Sequence, residues 1–237
     1  MGAQYRPWAR RVSRRRRAGD VGTLAAMTSV HPPKDPRRRV LLRGTAGAML
    51  GAALLRQGPA QAEPGPLLYE GLALPRRIEL HGATLVLNGA GIRAVAWLKG
   101  YVAALYLAAP AATAAEAVAA AGPKRIRLHM LQDAPAAEFS KAVRKGVARN
   151  VAPGELARLD DRLQAFEALV DGIGQVRRGD IVDLDFDPAQ GLRLLHNGRQ
   201  RGEPVRGGDF YAALLLSFVG QRPYDRKLRD GMLGALR

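Results

Sequence analysis

Leu87-Asn88-Gly89-Ala90-Gly91-Ile92-Arg93, leading into Tyr101-Val102-Ala103-Ala104-Leu105-Tyr106-Leu107, is the stretch that decides the fold. An apolar strand runs into a Gly-x-Gly corner, carries one arginine just past it, and resumes as a second long apolar strand. Arginine is rarely buried without a partner. A cation beside an apolar sheet therefore points to a ligand with negative charge on an apolar body. Gly89-Ala90-Gly91-Ile92-Arg93-Ala94 also matches the dinucleotide fingerprint G-x-G-x-x-A. That motif needs a helix to open at its third position, so that the helix N-terminus can hold a pyrophosphate. The chain continues instead as Ala94-Val95-Ala96-Trp97-Leu98-Lys99-Gly100-Tyr101, with aromatics, an internal glycine and no cap. Glu116, the nearest candidate for the acidic ribose ligand, falls in an alanine-rich segment. The dinucleotide reading fails on context.

On the N-terminal side, Arg77-Ile78-Glu79-Leu80 and Thr84-Leu85-Val86-Leu87 flank His81-Gly82, the pattern of a tight hairpin. Residues 63–75 are punctuated by proline and glycine and read as a lead-in. The apolar run after Arg93 is long for one strand, and a bend or bulge is expected at Gly100. Residues 113–121 predict a short helix stopped by Gly122-Pro123. Ile126, Leu128 and Met130 alternate with Arg127 and His129, a half-buried strand. Phe139, Val143 and Val147 recur every four residues in a helix over 135–150. A second helix over 154–170 carries Leu156, Leu159, Leu163, Phe166 and Val170 on one stripe. Residues 180–187 alternate again, and Asn197-Gly198 marks a further hairpin. Two helices, 209–219 and 224–233, close the chain. This order predicts an α+β fold, an antiparallel sheet with helices on one face.

The formal charge of +16 suggests a nucleic-acid binder until it is located. Residues 1–62 hold thirteen basic side chains against Asp20 and Asp35, so most of the excess lies there. Arg38-Arg39-Val40-Leu41-Leu42-Arg43 is a twin-arginine pattern. The uncharged stretch from Gly44 to Leu55 is too short to span a bilayer, and Ala60-Gln61-Ala62 supplies a cleavage site before Glu63. Residues 27–62 therefore read as an export signal for the export machinery and signal peptidase, of twin-arginine type in preference to a Sec signal or an uncleaved anchor. Residues 1–26 are a basic leader, with Met27 a candidate start. Residues 63–237 are then expected to form the exported domain, periplasmic or otherwise outside the cytoplasm, for which no nucleic-acid partner is expected. The chain has no cysteine, so neither disulfides nor lipoprotein attachment hold it.

Classical catalytic patterns are missing from the sequence: there is no G-x-S-x-G, H-E-x-x-H or P-loop. The histidines are scattered without metal-ligand spacing, and no metal or cofactor is expected. Asp183, Asp185 and Asp187 share one strand face and read as solvated rather than as a Ca²⁺ site.

Asn88-Gly89-Ala90-Gly91-Ile92-Arg93, Lys99-Gly100-Tyr101 through Tyr106-Leu107, Leu214-Leu215-Leu216-Ser217-Phe218-Val219-Gly220 and Met232-Leu233-Gly234 resemble the chalcone isomerase family. The likeness is to its bacterial exported and fatty-acid-binding branches, over roughly residues 67–236. It implies an open-faced β-sandwich, a sheet backed by helices with an apolar cleft between. In the isomerases, a chalcone phenolate attacks its own enone. The resemblance puts the cleft arginine at Arg93, the strand threonine at Tyr101, the catalytic tyrosine at Phe139, the asparagine at Gly146 and the C-terminal hydroxyl at Ser217. The side-chain positions of Phe139 and Gly146 can offer no hydrogen bond. Two lost polar partners should cost ~1–3 kcal/mol each, which argues against chalcone cyclisation. The fatty-acid-binding branch pairs the same arginine with a tyrosine, here Arg93 and Tyr101. A carboxylate held by both, its tail in an apolar cleft beside Trp97, Leu105, Phe139 and Phe218, is chemically sound. The Arg-to-Tyr spacing of eight is four shorter than in those relatives. The expected ligand site is Arg93, Tyr101, Phe139 and Ser217, binding a fatty acid or similar amphipathic carboxylate. Two alternatives stand beside it. One is a chalcone-type isomerase or related intramolecular addition using Arg93, Tyr101 and Ser217. In the other, Arg93 pins the Gly-Ala-Gly corner through backbone carbonyls.

Overall fold

Turn chemistry lays out the strands. In a computed structural model that describes residues 65–95 and 98–235, three tight hairpins turn on left-handed pairs: Glu70-Gly71, His81-Gly82 and Asn197-Gly198. Two-residue hairpins of the primed type require that conformation. They join β1 (Leu67–Tyr69) to β2 (Leu72–Leu74), β3 (Arg77–Leu80) to β4 (Ala83–Val95), and β10 (Gly191–His196) to β11 (Arg199–Val205). The last two hairpins are those read from the sequence. The first replaces the expected lead-in. The expected export signal over residues 27–62, the expected cleavage point between Ala62 and Glu63, and Trp97 lie outside the described residues.

β5 (Leu98–Leu107), β6 (Lys124–Met130) and β9 (Ile181–Asp187) complete a seven-stranded antiparallel sheet ordered β11-β10-β9-β6-β5-β4-β3. α1 (Ala114–Ala119) fills the β5–β6 connection, with Thr113 accepting a hydrogen bond from the Glu116 amide as its N-cap. Between β6 and β9 run β7 (Ala134–Pro135), α2 (Ala136–Asn150), α3 (Pro153–Asp171) and β8 (Gln175–Val176). The chain ends in α4 (Gly208–Val219), α5 (Arg226–Asp230) and a π-helical turn, Gly231–Ala235. Leu159, Leu163, Phe166 and Val170 of α3 and Phe210, Leu214 and Phe218 of α4 join Leu105, Ile126, Leu128 and Leu184 of the sheet in the main core. A smaller core on the opposite sheet face holds Leu74, Val102, Ala104 and Tyr106, with the β1–β2 hairpin packed on it. The fold is the open-faced antiparallel sandwich backed by helices.

The Gly-x-Gly segment is not a corner. Gly89, Ala90 and Gly91 sit inside β4, paired with Leu105, Ala104 and Ala103 of β5. The reversal comes later, between Val95 and Leu98, which pair with each other. The glycines are there because the C-terminal helical segment lies directly on them. A Cβ on Gly89 would stand 2.8 Å from the Gly234 nitrogen, and one on Gly91 2.7 Å from the Leu228 Cα. Asn88, the extra residue of a bulge beside them, is buried. It donates to the Met232 carbonyl at 2.8 Å and accepts from the Ala111 amide at 2.7 Å. One side chain thus ties the strand to the chain end and to the loop after β5.

Two of the three aspartates of β9 are not solvated, and only Asp187 stays partly exposed. Asp183 and Asp185 are 3% and 2% exposed, each held by the arginine opposite it on β6. Arg127 bonds both Asp183 oxygens at 2.7 and 2.9 Å, and Arg125 both Asp185 oxygens at 2.6 Å. Alternation gives the shared face; the neighbour strand, reached across two helices, decides that this face carries ion pairs.

Candidate functional site

The second bulge of the β4–β5 hairpin builds the site. Arg93 pairs with Tyr101, whereas the next pair is Ala94 with Lys99, so Gly100 is the extra residue. The bulge expected at Gly100 is present. Directly opposed residues of an antiparallel pair share a face, so the spacing of eight sets the guanidinium and the phenol side by side. Both line a cavity of about 360 Å³ between sheet and helices. Its apolar wall comprises Leu128, Met130, Phe139, Val170, Ile173, Val176 and Val182. Gln132, Asp133, Glu138, Lys141 and Lys145 add polar lining, and Tyr224 stands among the lining residues with Arg93.

Arg93 spends little of its hydrogen-bonding capacity. Its Nη1 donates to the Ala94 carbonyl at 3.1 Å and lies 3.7 Å from Asp225 Oδ2. Among the described residues its Nε and Nη2 donate no hydrogen bond. The backbone bond is to its chain neighbour, so Arg93 does not pin the glycine segment. The guanidinium also packs 4.9 Å from the Tyr224 ring centre. Asp225 has a second task, capping α5 by accepting from the Lys227 and Leu228 amides. The Tyr101 hydroxyl makes no hydrogen bond among the described residues. Burial pushes its pKa up to about 12, with Arg93 opposing and Asp225 adding to the rise. It is therefore a phenol, a hydrogen-bond donor, throughout the physiological range.

Phe139 meets Tyr101 edge-on at 6.3 Å and also touches Phe166 and Phe218 at 6.4 and 6.3 Å. It is the aromatic floor of the cavity. Ser217 is not brought to it: its hydroxyl donates to the Leu214 carbonyl at 2.6 Å, at the contact of α4 with α2. That contact explains Gly146. A Cβ there would stand 2.7 Å from the Ser217 Cβ, so no asparagine fits without parting α2 from α4. Leu105 and Phe218 are core residues that do not line the cavity.

Lys141, Lys145, Tyr224 and Asp225 escape the sequence reading. Pro223-Tyr224-Asp225 does carry a signal, an aspartate N-cap before a helical pattern, but it announces a helix start and not a cavity wall.

A family model described as chalcone isomerase-like matches residues 68–234. The chain belongs to the chalcone isomerase-like family. Among solved structures, a fatty-acid binding protein of Arabidopsis thaliana is similar, with a TM-score of 0.52 and 19% identity over 69% of this chain and 92% of its own. At that identity the likeness shows the fold. No curated protein matches the sequence.

Phenols held neutral by burial give a pH prediction. Tyr106, fully buried in the smaller core, is also pushed up to about 12, by burial first, with Arg127 opposing and Asp183 adding. A phenol that titrates at 10.0 unfolded and about 12 folded favours the fold while it stays protonated. That stability is full below pH 10 and is lost as pH rises from 10 to about 12. Circular dichroism against pH should be flat up to 10 and then fall; unfolding that begins well below pH 10 would contradict the assignment.

Proposed function

We propose that this domain binds a fatty acid or similar amphipathic carboxylate, with Arg93 and Tyr101 on the carboxylate and the tail in the apolar cavity. The observation that carries the reading is the pair of unspent donors, an arginine and a protonated phenol, opposed at the wall of an otherwise apolar cavity. A carboxylate accepts several hydrogen bonds at once, and those from a guanidinium are charge-assisted. The volume falls in the range of small-ligand sites. A protein with the same fold, that of Arabidopsis thaliana, is a fatty-acid binding protein. Chalcone cyclisation is the weaker reading. Phe139 brings no hydroxyl, Gly146 has no room for an amide, and the Ser217 hydroxyl is spent on a backbone carbonyl.

Calorimetric titration with a long-chain fatty acid tests the reading. Arg93→Ala should weaken binding about 10- to 100-fold, and Tyr101→Phe about fivefold, as expected for a charged and a neutral hydrogen bond. Equal affinity in Arg93→Ala and the unmutated protein would overturn it.

We also propose that residues 27–62 direct twin-arginine export, leaving the domain in the periplasm. N-terminal sequencing of the exported protein should begin at Glu63. A mature protein that retains residues before Ala62 would overturn this part.

A further inference from the structure

We infer that the surface around Tyr224 docks on an anionic lipid bilayer, which is the phase from which the cavity takes its ligand. The purpose of this docking rests on the ligand-binding reading above; the docking itself rests on charge. Tyr224 belongs to the cavity wall and is also 36% exposed, so the aromatic ring connects ligand site and surface. Arg149, from the last turn of α2, packs 4.4 Å from its ring centre. Lys145 lies one turn earlier on the same helix, and Arg222, Arg226 and Lys227 flank Tyr224 in the chain. The Arg222 backbone is fastened to the end of α2, its amide donating to Asn150 Oδ1 at 3.0 Å and its carbonyl accepting from Nδ2 at 3.2 Å.

All five cations are exposed, and among the described residues none pairs with a carboxylate. The contrast within α2 is plain, since Arg144 is bonded to both Glu167 and Asp160. Asp225, the acid of the Tyr224 segment, is turned to the α5 amides and Arg93. An uncompensated cationic surface with an aromatic at its centre matches an anionic headgroup layer, which attracts lysine and arginine and accepts an amphipathic ring. Single-stranded nucleic acid would want a row of stacking aromatics, and here there is one. A ligand with an apolar tail partitions into bilayers, and docking through Tyr224 would bring that phase to the cavity wall.

Co-sedimentation of the exported protein, which lacks the basic residues 1–62, with phosphatidylcholine vesicles, with and without phosphatidylglycerol, tests this. The chain should bind the anionic vesicles and release at high salt. Arg222→Glu/Arg226→Glu should weaken that binding about twentyfold or more, at roughly fivefold per basic side chain. Arg226→Glu/Lys227→Glu should do the same, guarding against a folding fault peculiar to one variant. Arg199→Glu/Arg206→Glu makes the same charge change at exposed positions on and beside β11 and should leave binding near that of the unmutated chain. Equal losses in all three variants, or no loss in any, would overturn docking through this surface. So would binding to an oligonucleotide without binding to vesicles. Fatty-acid titration without vesicles separates the two readings: the Arg222→Glu/Arg226→Glu variant should keep its affinity, whereas failure of the unmutated chain to bind fatty acid would overturn ligand uptake.

Discussion

Arg127→Ala is expected to cost about 3–5 kcal/mol, because it strands a carboxylate inside the protein. Asp183 is 3% exposed, and Arg127 supplies both of its close hydrogen bonds, at 2.7 and 2.9 Å. Arg125 cannot take over: its Nε is 3.7 Å from Asp183, and it is engaged with Asp185 at 2.6 Å. The desolvation of Asp183 persists while its compensation disappears. Removing both partners should hurt far less, since a buried ion pair is close to break-even against apolar residues of similar size. The Arg127→Leu/Asp183→Leu double variant should therefore be more stable than Arg127→Ala alone. Urea unfolding of the three proteins checks this; a cost below about 1 kcal/mol for Arg127→Ala, the scale of an exposed ion pair, would mean that water reaches Asp183.

The second large effect falls on the glycine segment. Gly91→Ala should cost about 3 kcal/mol, the upper part of the usual range for overpacking. The new Cβ meets backbone, with the Leu228 Cα at 2.7 Å and its carbonyl carbon at 2.8 Å. Backbone cannot rotate away as a side-chain tip can, so α5 must lift from β4. α5 begins at the Asp225 cap, and Asp225 is also the counterion of Arg93. The same variant should therefore disturb ligand binding at a distance. Gly100→Ala is the control: its Cβ would find its nearest neighbour at 3.5 Å, ordinary contact. Thermal unfolding should put Gly91→Ala well below Gly100→Ala. Equal melting temperatures would mean that the glycines are not there for close packing.

Much of the fold is legible because turn residues and periodicity act locally. His81-Gly82 and Asn197-Gly198 declare their hairpins, and Phe139, Val143 and Val147 declare α2. Glu70-Gly71 makes the same turn, yet glutamate is an uncommon left-handed residue, and that hairpin reads from sequence as a lead-in. The Gly-Ala-Gly segment misleads for a different reason. Glycine signals a turn or a close approach equally, and here the approaching element, Leu228 to Gly234, lies far along the chain. The buried aspartates mislead likewise, because alternation along β9 cannot say that arginines of β6 lie opposite.

In the candidate site, Arg93 stands out by its chemistry and Tyr101 by the family resemblance. The bulge at Gly100 that opposes them is anticipated from the glycine. Ser217 looks equivalent as a hydroxyl, but whether a serine faces a cavity or its own helix carbonyl depends on packing, and here it packs on Gly146. Tyr224 and the cations around it are hidden because their meaning depends on which helix end they meet.

The central claim is that Arg93 anchors a carboxylate in the cavity. Native mass spectrometry with lipid extraction, on protein purified from its own host beside Arg93→Ala, tests it most directly. A co-purifying amphipathic carboxylate should be present in the unmutated protein and lost from the variant. An empty cavity in both proteins, or the same ligand retained by both, would contradict it.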